Sequence, residues 1–329
     1  MRAATISAPG VVEVRDFDVP TAEKDGDLVV RMERASICGS DVHVAFHGFH
    51  YPDAVGKPGY PGHEGVGTVV ESKSAHFPVG VRVLTVPIGN VGRCFAEYQL
   101  IDENQVLPLP ADGDPAKLLM AQQYGTTLFA MRKFWQGGNT GTAAIIGAGS
   151  AGLFFVQQAK QLGFENIVVS DLNEERLRVA GTLGAQTLVH APEESLVEAV
   201  NDVTKGRGAD LVIEAAGYDR LRADAIEAIA MDGTVGFFGF PERYDMAEFP
   251  MFAAFRKSAR MQWSNGTQSE PGLVAFRDAL QHIHEGRINV DYCLGAVYGL
   301  EDVPEAMEVA RDQGHGAVKL SIDLVAAGG

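Results

Sequence analysis

Residues 142–171, TAAIIGAGSAGLFFVQQAKQLGFENIVVSD, are the stretch that decides the fold of this chain. An uncharged apolar run, Ala143 to Ile146, leads into three closely spaced glycines. Apolar residues at helical spacing follow, and a second apolar run ends at Asp171. The pattern predicts a strand, a glycine-rich turn, a helix and a second strand with an acid at its tip.

Each glycine of this turn suits the binding of a dinucleotide. Gly147 permits the tight turn, Gly149 lets a pyrophosphate approach the backbone, and Gly152 lets the helix pack against the strand. The helix N-terminus offers N–H groups and a positive dipole end to the anion. Asp171, about 20 residues further on, suits a ribose 2′-hydroxyl and would repel a 2′-phosphate, which predicts NAD rather than NADP. The alternative is an ordinary turn in a chain with 38 glycines, and the flanking strand, helix and acid argue against it.

Length and charge limit the class of protein. The 329 residues suggest about two domains. A net charge of −16 argues against nucleic acid or a membrane as partner. The three cysteines are widely spaced, so we expect no disulfide framework. Together with early charges that do not suit a signal peptide, they favour a cytoplasmic location.

The pattern of elements divides the chain into domains. Short β-branched runs in residues 1–123 predict a β-rich, barrel-like domain. In residues 124–267 strands alternate with helices, which predicts a parallel, doubly wound Rossmann sheet. Residues 268–329 end in an apolar strand, 317–324, which we expect to return to the first domain and complete it. The predicted fold class is α/β.

Two short motifs ahead of the dinucleotide turn carry metal-ligand types. CGSDVH begins at Cys38, and Gly62 is followed by His63 and Glu64. Thiolate, imidazole and carboxylate are zinc ligands. Cys38 and His63 are too far apart in sequence for a zinc finger and suit a catalytic site assembled across loops. Taken singly, a buried cysteine or a hydrogen-bonded core histidine would explain each; together, upstream of a dinucleotide fold, they favour a metal.

With these motifs the chain resembles the zinc-dependent medium-chain dehydrogenases, especially their polyol and threonine dehydrogenase-like branch. The resemblance covers nearly the whole chain and includes CGSDVH at 38–43, PGHEGVGTVVE at 61–71, GAGSAG at 147–152 and GRGADLVIEAAG at 206–217. It implies a GroES-like catalytic domain joined to a Rossmann domain, one catalytic zinc ion, NAD as cofactor, and a homodimer or homotetramer.

The resemblance also implies roles for the residues around the metal. Cys38 and His63 match zinc ligands. Glu64 matches an acid that lies beside the metal and is a ligand or exchanges with one. Asp41 matches a carboxylate that holds the ligand histidine in its tautomer.

Four further residues gain roles from the same resemblance. Ser40 matches the hydroxyl that takes the proton of the substrate alcohol, and His43 matches the group that passes it to solvent. Asp171 and Arg176 match residues that hold the adenosine ribose. The plainer alternatives are a loop hydroxyl for Ser40 and a solvated helix residue for Arg176.

The chain departs from the family at two places. The last zinc ligand of the family, a Cys or Glu, aligns with Gln122, which is a neutral oxygen donor. Either Glu64 completes the site, or Gln122 binds through its carbonyl oxygen, or the site holds zinc poorly. Many relatives also bind a structural zinc ion through four clustered cysteines. The corresponding region, shortened between Val86 and Phe95, contains only Cys94, so we expect no structural zinc and interpret Cys94 and Cys293 as packing residues.

These expectations combine into one hypothesis: reversible oxidation of a polyol, sugar or cyclitol-like secondary alcohol to a ketone, with zinc as Lewis acid and NAD as hydride acceptor. We expect the loop 44–51, VAFHGFHY, to border the substrate pocket. One alternative is a zinc-free NAD(P)H-dependent reductase of the same superfamily, against which Cys38, His63 and Asp171 argue. The other is a non-catalytic dinucleotide-binding protein, which only Gln122 favours.

Overall fold

The computed structural model describes residues 1–48, 51–88 and 92–325. Its strands, in chain order, are β1 (Arg2–Ala8), β2 (Val11–Asp16), β3 (Asp27–Ile37), β4 (Glu64–Ser72), β5 (Arg82–Thr85), β6 (Tyr98–Asp102), β7 (Val106–Pro108), β8 (Thr142–Ile146), β9 (Asn166–Asp171), β10 (Thr187–His190), β11 (Ala209–Glu214), β12 (Ile229–Phe237), β13 (Arg260–Trp263), β14 (Ala296–Gly299) and β15 (Leu320–Asp323). Its α-helices are α1 (Gly39–Phe46), α2 (Pro115–Leu119), α3 (Ala121–Phe134), α4 (Ser150–Gln161), α5 (Glu174–Leu183), α6 (Leu196–Thr204), α7 (Asp219–Ala228), α8 (Met251–Arg256), α9 (Val274–His284) and α10 (Val303–Arg311).

The chain divides into two compact units. The first consists of Met1–Gly125 and Gly266–Gly329, and the second of Thr126–Asn265. The sequence-based boundaries, which place residues 124–267 in the second domain, differ from this division by two residues at each end. No helix within the described ranges is at once long enough and apolar enough to cross a membrane.

The second unit is built on a six-stranded sheet in the order β10-β9-β8-β11-β12-β13. Every neighbouring pair is parallel. The direction of winding reverses between β8 and β11, and in sheets of this kind ligands bind outside the carboxyl ends of the strands at that reversal. The prediction of a doubly wound parallel sheet is therefore confirmed.

The first unit contains a seven-stranded sheet with the path β14-β15-β3-β4-β5-β7, on which β6 pairs with β3, and a separate β1–β2 pair. The last strand, β15, pairs antiparallel with β3 and places Leu320 opposite Ile37. Strand β3 also pairs with β4, and there Ser36 lies opposite Glu64. The final strand thus returns to the first unit, as the sequence predicts, and its start is level with the beginning of β4 on the other side of β3.

One element differs from its sequence interpretation. Residues 44–51 are predicted as a loop, but Val44 to Phe46 form the last turn of α1. The helix starts because Asp41 accepts the backbone N–H of Cys38, which closes its first turn, and Ala45 is buried in the core. Valines at 42 and 44 lower helix propensity and hide this signal in the sequence. Residues 49–50 of that segment, including His50, and residues 89–91 of the shortened lobe lie outside the described residues.

Candidate functional site

The glycine turn lies at the carboxyl end of β8 in the second unit. Gly147 has a φ of +96°, a conformation that side chains rarely adopt. A Cβ on Gly152 would lie 1.8 Å from the carbonyl oxygen of Gly147, so only glycine fits there. A Cβ on Gly149 would meet nothing within 4 Å. The turn is therefore closely packed at Gly152 and open at Gly149, where helix α4 begins. The open side suits an anion that binds the free N–H groups at the N-terminus of α4.

Asp171 ends β9 and is joined to this turn. Its Oδ2 accepts the N–H of Ala148 at 2.6 Å, and its Oδ1 accepts the N–H of Asn173 at 2.8 Å. Burial lowers the pKa of Arg176, and the nearby Asp171 carboxylate opposes that shift. The structure thus brings together the glycines, the acid and the arginine that the sequence assigns to the dinucleotide.

The rim next to Asp171 carries further acids. His190 lies opposite Asp171 in the sheet. Its Nδ1 lies 3.7 Å from a carboxylate oxygen of Glu174 and 3.6 Å from one of Glu193. The two exposed carboxylates of Glu174 and Glu193 therefore add negative charge near Asp171, at the carboxyl ends of β9 and β10.

The first unit assembles the predicted metal ligands. Cys38 lies just before α1, His63 just before β4, and Glu64 is the first residue of β4. One ligand atom from each of these three side chains lies within 4.8 Å of those of the other two. Within the described ranges this is the one group of at least three His, Cys, Asp or Glu side chains with such spacing.

Asp41 fixes the orientation of His63. Its side chain is buried, and Oδ1 lies 2.9 Å from Nδ1 of His63. Its Oδ2 accepts the N–H of Cys38 at 2.9 Å. Burial lowers the pKa of His63, but Asp41 and then Cys38 raise it more, so that it lies well above its ordinary value. A metal therefore competes with a proton for this ring.

Glu64 and Lys319 form a buried ion pair that the sequence analysis missed. Nζ of Lys319 lies 2.6 Å from Oε2 of Glu64, and Ser36 donates its hydroxyl to the same oxygen. Lys319 also donates to Oε1 of Gln123 at 3.1 Å. The only signal in the sequence was a single basic residue beside the apolar final strand. Burial lowers the pKa of Lys319, but Glu64 and then Cys38 raise it above its ordinary value.

The donor set fits a zinc ion. Oε1 of Glu64 is buried and has no hydrogen-bond partner within the described part of the chain. Buried polar atoms are ordinarily paired, so an unpaired carboxylate oxygen beside a thiol and an imidazole is the expected mark of a cation site. The cluster therefore supports Cys38, His63 and Glu64 as the residues that would hold the metal.

The remaining predicted residues have no role that the geometry tests. Gln122 is buried near the start of α3, one residue before Gln123. Ser40 and His43 lie on α1, and the ring of His43 is 5.2 Å from that of exposed His47. Metal binding by Gln122 and proton transfer by Ser40 and His43 stay predictions.

The other two cysteines lie in the interior with polar groups nearby: Sγ of Cys94 is 3.5 Å from the hydroxyl oxygen of Thr85, and Lys319 and Glu64 act electrostatically on the thiol of Cys293. Cys94 and Cys293 are free and buried. Burial raises the pKa of each thiol to about 12. Both thiols are therefore unreactive at neutral pH, in keeping with the packing role expected from the sequence.

Comparison with known proteins agrees with this arrangement. Two family models match the chain: the alcohol dehydrogenase GroES-like domain over residues 24–111, and the zinc-binding dehydrogenase domain over residues 151–285. The L-threonine 3-dehydrogenase of Bacillus subtilis (strain 168) is 28% identical over 330 residues, which cover 92% of this chain and 93% of that protein. The sorbitol dehydrogenase of the same organism is 26% identical over 348 residues, which cover 94% and 93%.

A solved structure shows the same fold. It is a putative zinc-binding dehydrogenase from Sinorhizobium meliloti 1021 bound to NADP, with a TM-score of 0.83, 25% identity and 98% of each chain covered. The two matched family models together span more than half of this chain. The chain belongs to the zinc-type medium-chain dehydrogenase family.

Proposed function

We propose that this oxidoreductase interconverts a secondary alcohol and a ketone, with one zinc ion at Cys38, His63 and Glu64 and with NAD as the cofactor. The observation that carries the proposal is the close cluster of thiol, imidazole and carboxylate. The unpaired, buried Oε1 of Glu64 supports a cation there, because burial of such an atom is otherwise costly.

The side chains around the cluster prepare it for the metal. Zinc, when bound, supplies Lewis-acid polarisation of an alcohol oxygen. Asp41 accepts the Nδ1 proton of His63, which leaves Nε2 as the ligand atom. We assign the third ligand to Glu64 rather than to Gln122, because Glu64 is anionic and belongs to the cluster. A neutral amide oxygen binds zinc weakly in comparison.

The substrate proton leaves through α1. In this proposal Ser40 accepts the hydroxyl proton of the alcohol and donates its own proton to His43. The ring of half-buried His43 lies 5.2 Å from that of exposed His47, which supports a route for the proton from His43 towards solvent. The nicotinamide cofactor, which the turn at Gly147, Gly149 and Gly152 would hold, would supply the acceptor for the hydride from the carbinol carbon. One alcohol thus yields one ketone, one proton and one reduced cofactor.

The choice of NAD over NADP rests on charge. The 2′-phosphate of NADP would approach Asp171 and the neighbouring carboxylates of Glu174 and Glu193. Arg176 is partly buried, and its charge interacts with the carboxylate of Asp171. The Sinorhizobium meliloti protein is bound to NADP, so a direct comparison of NADH and NADPH binding by fluorescence titration is required. Equal affinities would contradict this assignment.

The proposed substrate is a small secondary alcohol with neighbouring polar groups. The names of two relatives specify L-threonine and sorbitol, and both compounds contain a secondary hydroxyl with a polar neighbour. A first panel therefore contains both compounds, other polyols and sugar alcohols, and simple aliphatic secondary alcohols as controls.

We also propose that the chain self-associates at the outer edge of β13. Within the described strands β13 pairs with β12 alone. Trp263 of β13, and Phe252 and Phe255 of the preceding helix α8, are more than half exposed. Exposed aromatic residues beside an open strand edge are typical of an interface. Light scattering on the purified chain and on a Trp263→Lys variant tests this; a monomeric parent would refute it.

The central test combines three measurements on one preparation: zinc content, NADH binding, and reduction of NAD with the substrate panel. We expect about one zinc ion per chain, and activity that falls on chelation and returns with zinc. Full activity after complete metal removal would exclude the metal role. NADH binding without metal or turnover would instead favour a non-catalytic dinucleotide-binding protein.

A further inference from the structure

Lys319 lies in a position that lysines rarely occupy. It is 4% exposed, and its side chain is buried directly against Glu64. Lysines are seldom fully buried unless they are paired. Its place follows from the sheet: Leu320 of β15 lies opposite Ile37, so the preceding residue reaches the end of β3, where Cys38 follows.

The two oxygens of Glu64 have different surroundings. Oε2 accepts from Nζ of Lys319 at 2.6 Å and from the hydroxyl of Ser36. Oε1 accepts from no group in the described ranges. The carboxylate is therefore held by one oxygen, and the other is left for a further partner.

The positive charge of Lys319 should weaken the binding of a metal ion at the cluster. As metal ligands, Cys38 and Glu64 each bring one negative charge, and Lys319 brings one positive charge into direct contact with Glu64. Like charges in a buried site repel strongly, because little solvent screens them. The ammonium group therefore opposes a divalent cation and competes with it for the Glu64 carboxylate.

We propose that Lys319 is a positioning residue that restrains the carboxylate of Glu64. Because Lys319 holds Oε2, Glu64 binds the metal through Oε1 alone. The metal affinity is then lower than the anionic ligands by themselves would give. The inference rests on the proposed zinc site. In this proposal Lys319, which immediately precedes the C-terminal strand β15, lowers the metal affinity of the cluster. A positioning lysine of this kind leaves room at the metal for a substrate oxygen, because the second carboxylate oxygen stays on Lys319 and Ser36.

Zinc affinity of three variants at Lys319 tests the inference. Lys319→Met removes the charge and the donor, Lys319→Gln removes the charge and keeps a donor, and Lys319→Arg keeps the charge. Competition with a chromophoric chelator should show zinc binding at least about tenfold tighter in the Met and Gln variants, and within about threefold of the parent in the Arg variant. Lys257→Met is the matched control. That lysine lies in the other unit and donates to backbone carbonyls, so its loss should leave zinc affinity unchanged.

Cobalt substitution supplies a second readout that does not depend on activity. If Glu64 gains a second contact with the metal in Lys319→Met, the coordination number of cobalt rises and its visible absorption weakens. Unchanged or weaker zinc binding in both neutral variants, with an unchanged cobalt spectrum, would overturn the inference and leave Lys319 a structural ion pair. If Lys319→Met does not fold, Lys319→Gln decides alone. A parent chain that binds no zinc would refute the proposed function itself, which is a distinguishable outcome.

Discussion

Replacement of Asp41 by Asn should weaken zinc binding even though Asp41 is not proposed as a ligand. The buried carboxylate has two partners and accepts from both. Oδ1 lies 2.9 Å from Nδ1 of His63, and Oδ2 accepts the N–H of Cys38 at 2.9 Å. An amide of the same shape has one acceptor and one donor, so it can satisfy only one of the two partners.

Either orientation of the amide has a cost. If its oxygen faces Cys38, its NH₂ group faces His63 and requires Nδ1 to accept. The ring proton then moves to Nε2, the atom proposed for the metal. If its oxygen faces His63, the buried N–H of Cys38 loses its acceptor, which costs about 1–3 kcal/mol. Loss of such a supporting contact typically lowers metal affinity about 10–100-fold, or about 1.4–2.7 kcal/mol.

One effect acts in the opposite direction. Asp41 raises the pKa of His63, so its neutralisation also makes the proton that the metal displaces easier to remove. This compensation acts only where His63 is protonated. The loss of zinc affinity should therefore be greater at about pH 9 than at about pH 6, because the ring is less protonated at the higher pH.

The assay is chelator competition at both pH values on Asp41→Asn and on Asp210→Asn. The control makes the same chemical change in the other unit, where Asp210 accepts the N–H of Thr142 and pairs with Arg207. The reasoning fails if zinc affinity of Asp41→Asn stays within about twofold of the parent at the higher pH. It also fails if the control loses as much affinity as Asp41→Asn.

Three further predictions concern the second unit. Asp171→Asn should lower the affinity for NADH about tenfold and reduce the ratio of the NADH affinity to the NADPH affinity. Fluorescence titration with both cofactors measures these affinities. Gly149→Ala should leave the melting temperature unchanged but weaken NADH binding. Gly152→Ala should lower both the melting temperature and the NADH affinity, because its Cβ would lie 1.8 Å from a backbone carbonyl oxygen. Scanning calorimetry and binding calorimetry distinguish the two variants. Burial raises the pKa of Asp210, but Arg207 and backbone contacts lower it more, so that the net shift is downward. Its stabilisation is present above the ordinary pKa of Asp, about 4, and is lost as the pH falls through the lower folded value. Asp210→Asn should therefore reduce the free energy of unfolding by about 1 kcal/mol at neutral pH and by much less in acid, as urea titrations at several pH values will show.

The glycine-rich turn after β8 was predictable because its determinants are local. Gly147, Gly149 and Gly152 are constrained by a turn of a few residues, and Asp171 ends the next strand in sequence. The alternation of strands and helices then permits few sheet orders, and β10-β9-β8-β11-β12-β13 is a common one. Local spacing thus determines both the fold of this unit and the position of its glycine-rich turn.

The ion pair at the metal site could not be predicted in the same way. Lys319 meets Glu64 only because β15 pairs with β3 in a particular register, and β3 pairs with β4 in another. Nothing near either residue in sequence encodes those registers, since the first unit closes strands from distant parts of the chain. Helix α1 was missed for a different reason: its valines suit a strand as well as a helix.

The ion pair between Lys319 and Glu64 changes how Gln122 is interpreted. Taken alone, a neutral residue in place of an anionic ligand suggests a damaged site. The structure instead has a cationic Lys319 held against the remaining carboxylate, Glu64. Both features reduce negative charge at the cluster, so they act in one direction rather than compensating for each other. A metal site with less anionic charge holds its ion less firmly, but it attracts the developing negative charge of a substrate oxygen more strongly. Under the proposed function, Gln122 is compatible with a working dehydrogenase whose metal would be bound less tightly and be more electrophilic, and loss of function does not follow from its presence.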